Sequence, residues 1–430
     1  MSALVGDLRS FLELNPVGVF VLLVGLVAGI YALSETRVLG RVFDVLPVVF
    51  WVYFLPMVLA TVGVFPSRSP VYNLLSEYVL PASLFLLFLS SNLPDIVKLG
   101  PRTIGLVLAG SVGIVLGAVV GVAALIPFFA TGRLPAEHAD VLWKGVAALS
   151  GSWIGGSANM AAVWESVRTQ PQQTALEGQI FSAMVAVDVI VAYGWMAVVI
   201  ALSAWQGRVD RRTKADTTQL EMVNRRIADI QQTQARYLTT SKFTAMIAVA
   251  FLAALICSLA GSQLNDWLSS RVTNRLILSV IGPFAIMIVL VTALGLACSL
   301  TPLNRLEGYG ASRVGYAMLY LVLARIGARA NLNAIGDFPW YLLMGVVWVM
   351  THAAVLLGTM RLLRAPMFFA ATSSQANIGG PVSAPVVAAA YQPNLAVVGL
   401  LMAVVGNIAG TFLALFCVAP LVQLITPLLK

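Results

Sequence analysis

Two short stretches rich in glycine and small polar residues interrupt long apolar runs in this chain. They lie at 150–160 and 372–385, and each is centred on an Ile-Gly-Gly triplet. Within hydrocarbon, backbone that leaves helical geometry must be buried in protein or line a wet cavity, because unpaired amide groups are costly there. One such interruption late in each half of a chain is typical of a transporter with a ligand site between two broken helices.

The composition places the rest of the chain in a membrane. Of its 430 residues, 59% are hydrophobic and only 10% are charged, against about 25% charged in soluble domains. The mean hydropathy is +0.90. The net charge of +8 comes from basic residues that flank apolar runs or crowd one linker, which the positive-inside rule explains better than a nucleic-acid surface does. We predict an integral protein of a bacterial cytoplasmic (inner) membrane, with the lipid bilayer as partner and no nucleic acid.

About twelve apolar runs approach the roughly 20 residues that a helix needs to cross a bilayer. The runs of the first half are 16–34, 46–64, 78–97, 103–130, 141–166 and 176–204, and those of the second half are 243–260, 275–300, 313–331, 338–358, 366–391 and 394–425. The fifth run of each half carries the interruption. The predicted fold is therefore an all-α membrane protein with one interrupted helix in each half.

Three short matches in the same order suggest that the halves are repeats. The third runs end in similar segments at 92–96 and 331–335, the Ile-Gly-Gly triplets follow, and the sixth runs share Met-Val-Ala-Val-Asp at 184–188 and Met-Ala-Val-Val-Gly-Asn at 402–407. Duplication of this kind is common in secondary transporters. Whether the repeats are inverted or parallel is left open, because six spans per half give both halves one orientation and the loop charges do not decide.

The domain boundaries follow from this pattern. We predict a first repeat at 1–204 with its interrupted helix at 141–166, a basic cytoplasmic linker at 205–242, and a second repeat at 243–430 with its interrupted helix at 366–391. Within the linker, Leu220, Val223, Ile227 and Ile230 recur at helical spacing, which indicates an amphipathic surface helix. The linker is either a solvated connector or a regulatory element.

The candidate binding residues are polar or glycine side chains of the two interruptions and of the sixth runs. Glycine lets the backbone approach a ligand, helix N-termini attract anions, and unwound carbonyls with side-chain oxygens suit Na⁺. The alternative is a packing contact, since small residues also let helices touch. The candidates are Ser150, Ser152, Gly155, Gly156, Ser157, Asn159, Asp188, Ser373, Ser374, Gln375, Asn377, Gly379, Gly380, Ser383 and Asn407.

Asp188 is the strongest single candidate. It lies midway along the sixth apolar run among methionine and valine residues, and an ionisable group at that depth usually faces a polar cavity or a partner. It is either a cation ligand or proton carrier, with Na⁺ as the possible metal, or a structural carboxylate at the end of a broken helix. We expect it to face the interior close to the first interruption.

Other charged residues have less specific interpretations. Arg325 and Arg329 share one helical face and either meet an anionic substrate or snorkel to the interface. Glu165 follows the first interruption, and His352 is interpreted as a hydrogen-bonded structural residue. The sequence lacks a P-loop and the His-Glu-x-x-His and Gly-x-Ser-x-Gly signatures, so we predict no enzyme activity, no ATP-driven pumping and no cofactor apart from possible Na⁺.

Several segments resemble the YjcL-like family of uncharacterised bacterial and plastid membrane proteins. They are Tyr-Val-Leu-Pro-Ala-Ser at 78–83 and the stretches 151–160, 184–188 and 374–385. That family is more distantly similar to sodium–proton antiporters and to the bile-acid and glutamate sodium symporters. The resemblance implies an elevator-type carrier, in which a core with two crossed broken helices moves against a dimerising scaffold. The sixth run departs from the antiporter pattern because it has Asp188 alone and no Asp-Asp pair.

Three function hypotheses remain. The first is a Na⁺- or H⁺-coupled secondary carrier of a small organic solute, with an anion as one option, working by alternating access around a midplane site. The second is a cation/proton antiporter, and the third is a non-transporting membrane scaffold or sensor. We also expect Asn159 and Asn377 to lie near one another, and a homodimer whose interface lies on the helices outside the interrupted ones.

Overall fold

The computed structural model describes residues 9–36, 43, 48–66, 68–91, 93–169, 174–216, 237–272, 282–329, 338–392 and 395–430. Every regular element in these ranges is a helix. The amphipathic helix predicted from Leu220 to Ile230 lies outside the described residues, as do Asn92 and 331–335 of the repeat comparison.

The first half contains nine helices among the described residues. They are α1 (Pro16–Ser34), α2 (Val48–Thr61), α3 (Pro70–Leu89), α4 (Leu93–Lys98), α5 (Pro101–Ala123), α6 (Ile126–Ala130), α7 (Ala136–Gly155), α8 (Ser157–Val167) and α9 (Ala175–Ala201). A short helix, α10 (Gln206–Thr213), opens the linker.

The second half contains eight helices in its described ranges. They are α11 (Thr240–Ser269), α12 (Pro283–Ser299), α13 (Ala311–Gly327), α14 (Phe338–Leu362), α15 (Met367–Ile378), α16 (Gly380–Tyr391), α17 (Ala396–Leu413) and α18 (Ala419–Ile425). Each of the twelve apolar runs thus contains helix, and the fifth run of each half is split in two as the sequence predicts.

Local sequence signals explain several helix starts. The side chain of Asn15 accepts a hydrogen bond from the amide of Gly18 (3.1 Å) at the start of α1. Thr174 and Glu177 form a reciprocal capping box at the start of α9, with distances of 3.2 and 2.8 Å. Such side chains satisfy amide groups that have no partner within the helix.

Seven of the described helical segments are long and apolar enough to cross a membrane, and α12 with its bent continuation Pro302–Tyr309 can make an eighth. Helix α2, with 14 residues, is shorter than the roughly 20 residues of a full span. The chain is therefore an all-helical integral membrane protein. The larger count of about twelve spans stays a prediction.

The helices pack in two sets. The motif group consists of α5, α7, α8, α9, α14, α15, α16 and α17, and the outer group consists of α1, α2, α3, α11, α12 and α13. The largest helix–helix contacts fall within these sets, such as α5 with α14, α16 with α17 and α11 with α12, while α8 with α12 connects them.

Corresponding helices of the two halves make corresponding contacts. Helix α2 packs on α13 as α12 packs on α3, and α9 packs on α14 as α17 packs on α5. Helices α3 and α13, at the third position of each half, also pack on one another, and so do α5 and α14 at the fourth. The same helix pairings result when each helix is replaced by its counterpart in the other half.

Candidate functional site

The first interruption is a single-residue break between α7 and α8. Gly156 has φ +92° and ψ 178°, a conformation that is essentially restricted to glycine. Its amide still donates to the carbonyl of Ser152 (2.6 Å), and the amide of Asn159 donates to the Gly156 carbonyl (3.0 Å) as α8 begins. The break thus ends one helix and starts another within a single residue.

The second interruption separates α15 from α16. Gly379 ends α15 with φ −107°, and Gly380 has φ +62°. Pro381 follows in the first turn of α16, where its missing amide hydrogen costs nothing because first-turn amides have no helical partner. Glycine and proline therefore break this helix locally, as the sequence indicates.

The two breaks lie against one another. A Cβ atom built on Gly380 would lie 3.4 Å from the Cα of Gly156, and one built on Gly156 would lie 3.6 Å from both Pro381 Cδ and Asn407 Oδ1. The N-termini of α8 and α16 and the C-termini of α7 and α15 thus converge at one place. Partial positive and partial negative helix ends are both available there.

A cavity of about 280 Å³ opens beside the breaks, at the boundary between the motif group and the outer group. Among the candidate residues, those that line it are Ser152, Gly155, Gly156, Ser157, Asn159, Asp188, Gly379 and Asn407. The helices of the outer group contribute Tyr53, Ser312, Tyr316 and Tyr320, and Ser90 and Ser91, directly after α3, also line the cavity. The cavity therefore has walls from both groups.

Asp188 projects from α9 to the cavity beside the first break. Its Oδ2 accepts a hydrogen bond from Ser152 Oγ (2.9 Å), and its Oδ1 accepts one from Trp153 Nε1 (2.8 Å). Both donors belong to the last turn of α7. The carboxylate is thus positioned by the interrupted helix while it remains part of the cavity wall.

A second carboxylate, Glu307, lines the same cavity from the bent segment before α13. Its oxygens accept from the amide (2.9 Å) and the hydroxyl (2.7 Å) of Ser312. Among the described residues that line the cavity, none is a lysine or an arginine. Two acidic groups, with no lysine or arginine among the described lining residues, make this cavity electrostatically suited to a cation. Sequence reasoning missed Glu307 because it lies outside both interruptions.

The two asparagines of the interruptions have different partners. Asn159 is fully buried, donates to Asn407 Oδ1 (3.3 Å) and accepts from Thr411 Oγ1 (2.6 Å), both on α17. The amide oxygen of Asn377 accepts from Ser111 Oγ (3.0 Å) on α5, and its nitrogen donates to the Ser373 carbonyl (3.1 Å). The two interruptions converge at their glycines, while each asparagine forms hydrogen bonds between its own helix and a neighbouring helix.

The other candidates lie behind the cavity wall, buried within the motif group. Ser374 contacts both Trp195 Nε1 (2.8 Å) and His352 Nε2 (2.9 Å). Gln375 donates to Ser383 (2.8 Å) across the second break. Candidates that do not line the cavity are Ser150, Ser373, Ser374, Gln375, Asn377, Gly380 and Ser383.

His352 has the hydrogen-bonded position that the sequence analysis expects. Its Nδ1 is 2.9 Å from the carbonyl of Gly110 on α5, and its Nε2 contacts Ser374 on α15. The buried ring thereby connects three helices of the motif group.

Arg325 occupies neither of the places expected from the sequence. Its side chain is 1% exposed and forms an ion pair with Glu165, which in turn pairs with Arg168 (2.7 Å). None of these residues lines the cavity. The guanidinium thus neither snorkels to the interface nor faces the cavity. The sequence carried no signal for this pairing, since 160 positions separate the two partners.

The described part of the linker docks on the motif group. Asp210 of α10 accepts a hydrogen bond from the amide of Met367 (2.7 Å) at the start of α15. Asp216 pairs with Arg102 (2.9 Å) at the start of α5, and its amide donates to the carbonyl of Arg364 (2.8 Å).

Within the described ranges, no group of three or more His, Cys, Asp or Glu side chains is arranged to hold a metal ion. A transition-metal centre is therefore not indicated there. An alkali cation has different needs, because side-chain and backbone oxygens suffice as its ligands.

Comparison with known proteins gives the family. Residues 21–424 match the family model described as a protein of unknown function, DUF819. The chain belongs to the DUF819 family. It is also 26% identical to the uncharacterized membrane protein YjcL of Bacillus subtilis (strain 168) over 372 residues, which cover 83% of this chain and 86% of the relative. The YjcL-like resemblance is thereby confirmed, while the more distant link to sodium-coupled carriers stays a prediction.

Proposed function

We propose that this DUF819 protein is a secondary active transporter whose cavity binds a monovalent cation at Asp188. The observation that carries the proposal is the meeting of two helix breaks beside a carboxylate that is held by Ser152 and Trp153 and open to a cavity. If Asp188 only stabilised the end of one broken helix, the second break would not have to lie beside it. The proposed coupling ion is Na⁺ or H⁺.

The charge of the cavity wall favours a cation. Asp188 and Glu307 contribute negative charge, and the described lining residues include no basic side chain. The Asn407 and Ser157 side chains and the carbonyl ends of α7 and α15 add the neutral oxygens that Na⁺ prefers. An anionic solute would have to rely on the amide ends of α8 and α16, which are weaker than a full charge.

The size of the cavity favours a small solute. Its volume of about 280 Å³ lies at the lower limit of the range typical of ligand pockets, about 300–1,000 Å³. The tyrosine rings on the outer group would contact the solute, while the oxygens on the motif group would hold the ion.

The position of the cavity between two helix groups supports an elevator mechanism. If the motif group moves against the outer group, the cavity moves with the breaks and opens alternately to the two sides. The preserved helix pairings between the halves support duplication of one unit. We propose a homodimer formed by the outer group, in a cytoplasmic membrane, with the linker on the cytoplasmic side.

Cation/proton antiport is a second candidate, because Glu307 provides a second carboxylate in the same cavity. In that mechanism a cation and protons would compete for the acidic pair, and no organic solute would be needed. Vesicle experiments separate the two: antiport predicts sodium-driven proton movement without any added solute.

The test measures sodium-dependent stability of the purified protein. A ligand that binds only the native state stabilises it by about 2.7 kcal/mol at a hundredfold excess over Kd. We expect this stabilisation in the wild type and in Glu137→Gln, which neutralises an exposed carboxylate of α7, and its loss in Asp188→Asn. The asparagine can still accept from Trp153 and donate to Ser152, so the fold should persist. An unchanged sodium response in Asp188→Asn would refute the proposed site.

A further inference from the structure

A second polar cluster is buried at the far end of α8, away from the cavity. Arg325, in the last turn of α13, pairs through Nη1 with Glu165 Oε1, and both side chains are at most 1% exposed. The other carboxylate oxygen accepts from Arg168 Nε (2.7 Å). Both oxygens of Glu165 are thus already engaged by arginine.

The guanidinium of Arg325 keeps one edge unused. Its Nε and Nη2 are buried and have no hydrogen-bond acceptor among the described residues. These two nitrogens lie on the same edge of the planar group, where their N–H bonds point in parallel. That edge matches the two oxygens of a carboxylate, and such paired bonds are stronger and more selective than single ones.

The charges around Arg325 indicate which kind of ligand suits its Nε/Nη2 edge. Arg168 and Arg329 both lie within electrostatic range of the Arg325 guanidinium. Tyr72 lies within electrostatic range of both Arg325 and Arg329, but its hydroxyl donates to the Pro66 carbonyl (3.0 Å). Neighbouring guanidinium charges repel one another, and a bound anion reduces that repulsion. Water can accept hydrogen bonds from the two N–H donors of Arg325 but does not neutralise positive charge, whereas an anion does both.

We infer that the Nε/Nη2 edge of Arg325 is a binding site for a small planar carboxylate-type anion, a monocarboxylate or bicarbonate. The site is separate from the cation site, since neither Glu165 nor any of the three arginines lines the cavity. It does not depend on the proposed transport activity. A spherical halide accepts from both donors only with bent N–H···anion angles, whereas the two oxygens of a carboxylate accept along the parallel N–H directions, so the site should favour a carboxylate over chloride.

The experiment measures binding of radiolabelled formate to the purified full chain by equilibrium dialysis at constant ionic strength. We expect one saturable equivalent per chain. Arg325→Lys keeps the positive charge but lacks the paired donors, so it should weaken formate affinity by roughly tenfold or more. Arg313→Gln, an exposed position on the same helix, should bind formate as the wild type does.

Competition experiments then show whether the site prefers bicarbonate or a monocarboxylate. Displacement of formate by bicarbonate but not by acetate points to bicarbonate, and displacement by both points to a monocarboxylate site. Absence of saturable formate binding in the wild type, equal competition by chloride, or wild-type affinity in Arg325→Lys would each overturn the inference. If Arg325→Lys does not fold, Arg329→Gln replaces it, with a smaller loss of affinity expected from its charge alone.

Discussion

Replacement of Gly156 by alanine tests whether the first helix break depends on glycine. The backbone there has φ +92° and ψ 178°, a region that costs a residue with a side chain about 1–3 kcal/mol. A Cβ atom at this position would meet no atom closer than 3.6 Å. The expected loss therefore comes from backbone strain and not from a steric clash.

We expect Gly156→Ala to lower the free energy of unfolding by about 1–3 kcal/mol. Gly194→Ala is the matched control, because Gly194 lies inside α9 and a Cβ there meets nothing within 4 Å. In a regular helix this change should stabilise by about 0.5–1 kcal/mol. The two variants add the same methyl group, so their difference isolates the conformation of the break.

The assay is reversible unfolding by SDS titration in mixed micelles, with helix content followed by circular dichroism. Equal unfolding free energies for Gly156→Ala and Gly194→Ala would refute the reasoning. That result would mean that the break can move along the chain or become continuous helix at no cost.

Three further changes probe other parts of the fold by the same unfolding assay. Glu165→Gln should destabilise by about 3–5 kcal/mol, because it leaves buried guanidinium charge without its partner. Gly117→Ala should cost about 1–3 kcal/mol, since its Cβ would lie 2.3 Å from Trp348 Cδ1 and would push α5 away from α14. Asp210→Ala should cost about 0.5–2 kcal/mol through loss of the bond to the Met367 amide, whereas Asp210→Asn, which keeps an acceptor, should cost less.

The breaks could be predicted because their causes are local. Positive φ at Gly156 and Gly380 and the proline at 381 act within a few residues, so a sequence window is enough to find them. The helix ends are less predictable. Helix α3 begins at Pro70, whose fixed φ suits a first helical residue, and not at 78. The apolar run starts later because polar Ser76 and Glu77 lie inside the helix.

The remaining features depend on which distant segments meet. Glu307 reaches the cavity through the 92° bend that follows α12, and no motif marks that bend. The Arg325–Glu165 pair joins α13 to α8 across the two halves. Asn159 and Asn377 occupy matching positions in the two motifs, but the motifs do not indicate their hydrogen-bond partners, which lie on α17 and α5. Their approach to one another stays a prediction. The sequence therefore predicts where the helices are broken. It does not predict which distant side chains meet at the cavity, because that depends on how the helices pack.

The two acidic groups of the cavity stand on opposite sides of the proposed moving boundary. Asp188 belongs to the motif group, and Glu307 precedes α13 of the outer group, so sliding of one group along the other changes their separation. A bound cation reduces repulsion between the two carboxylates and therefore favours the arrangement in which they are close. Occupancy of the site would thereby bias the position of the motif group, which is the coupling that alternating access requires.

This reasoning assigns unequal roles to the two carboxylates. Glu307→Gln should retain sodium-dependent stabilisation but require a higher sodium concentration, because Asp188 still holds the ion while the second charge is gone. The glutamine oxygen can still accept from Ser312, so the segment should keep its fold. The measurement is the sodium midpoint of thermal stabilisation, with Glu137→Gln as the control for loss of a carboxylate. A midpoint equal to that of the wild type would show that Glu307 does not contribute to the ion site, and the carboxylate pair could then not couple the ion to the movement.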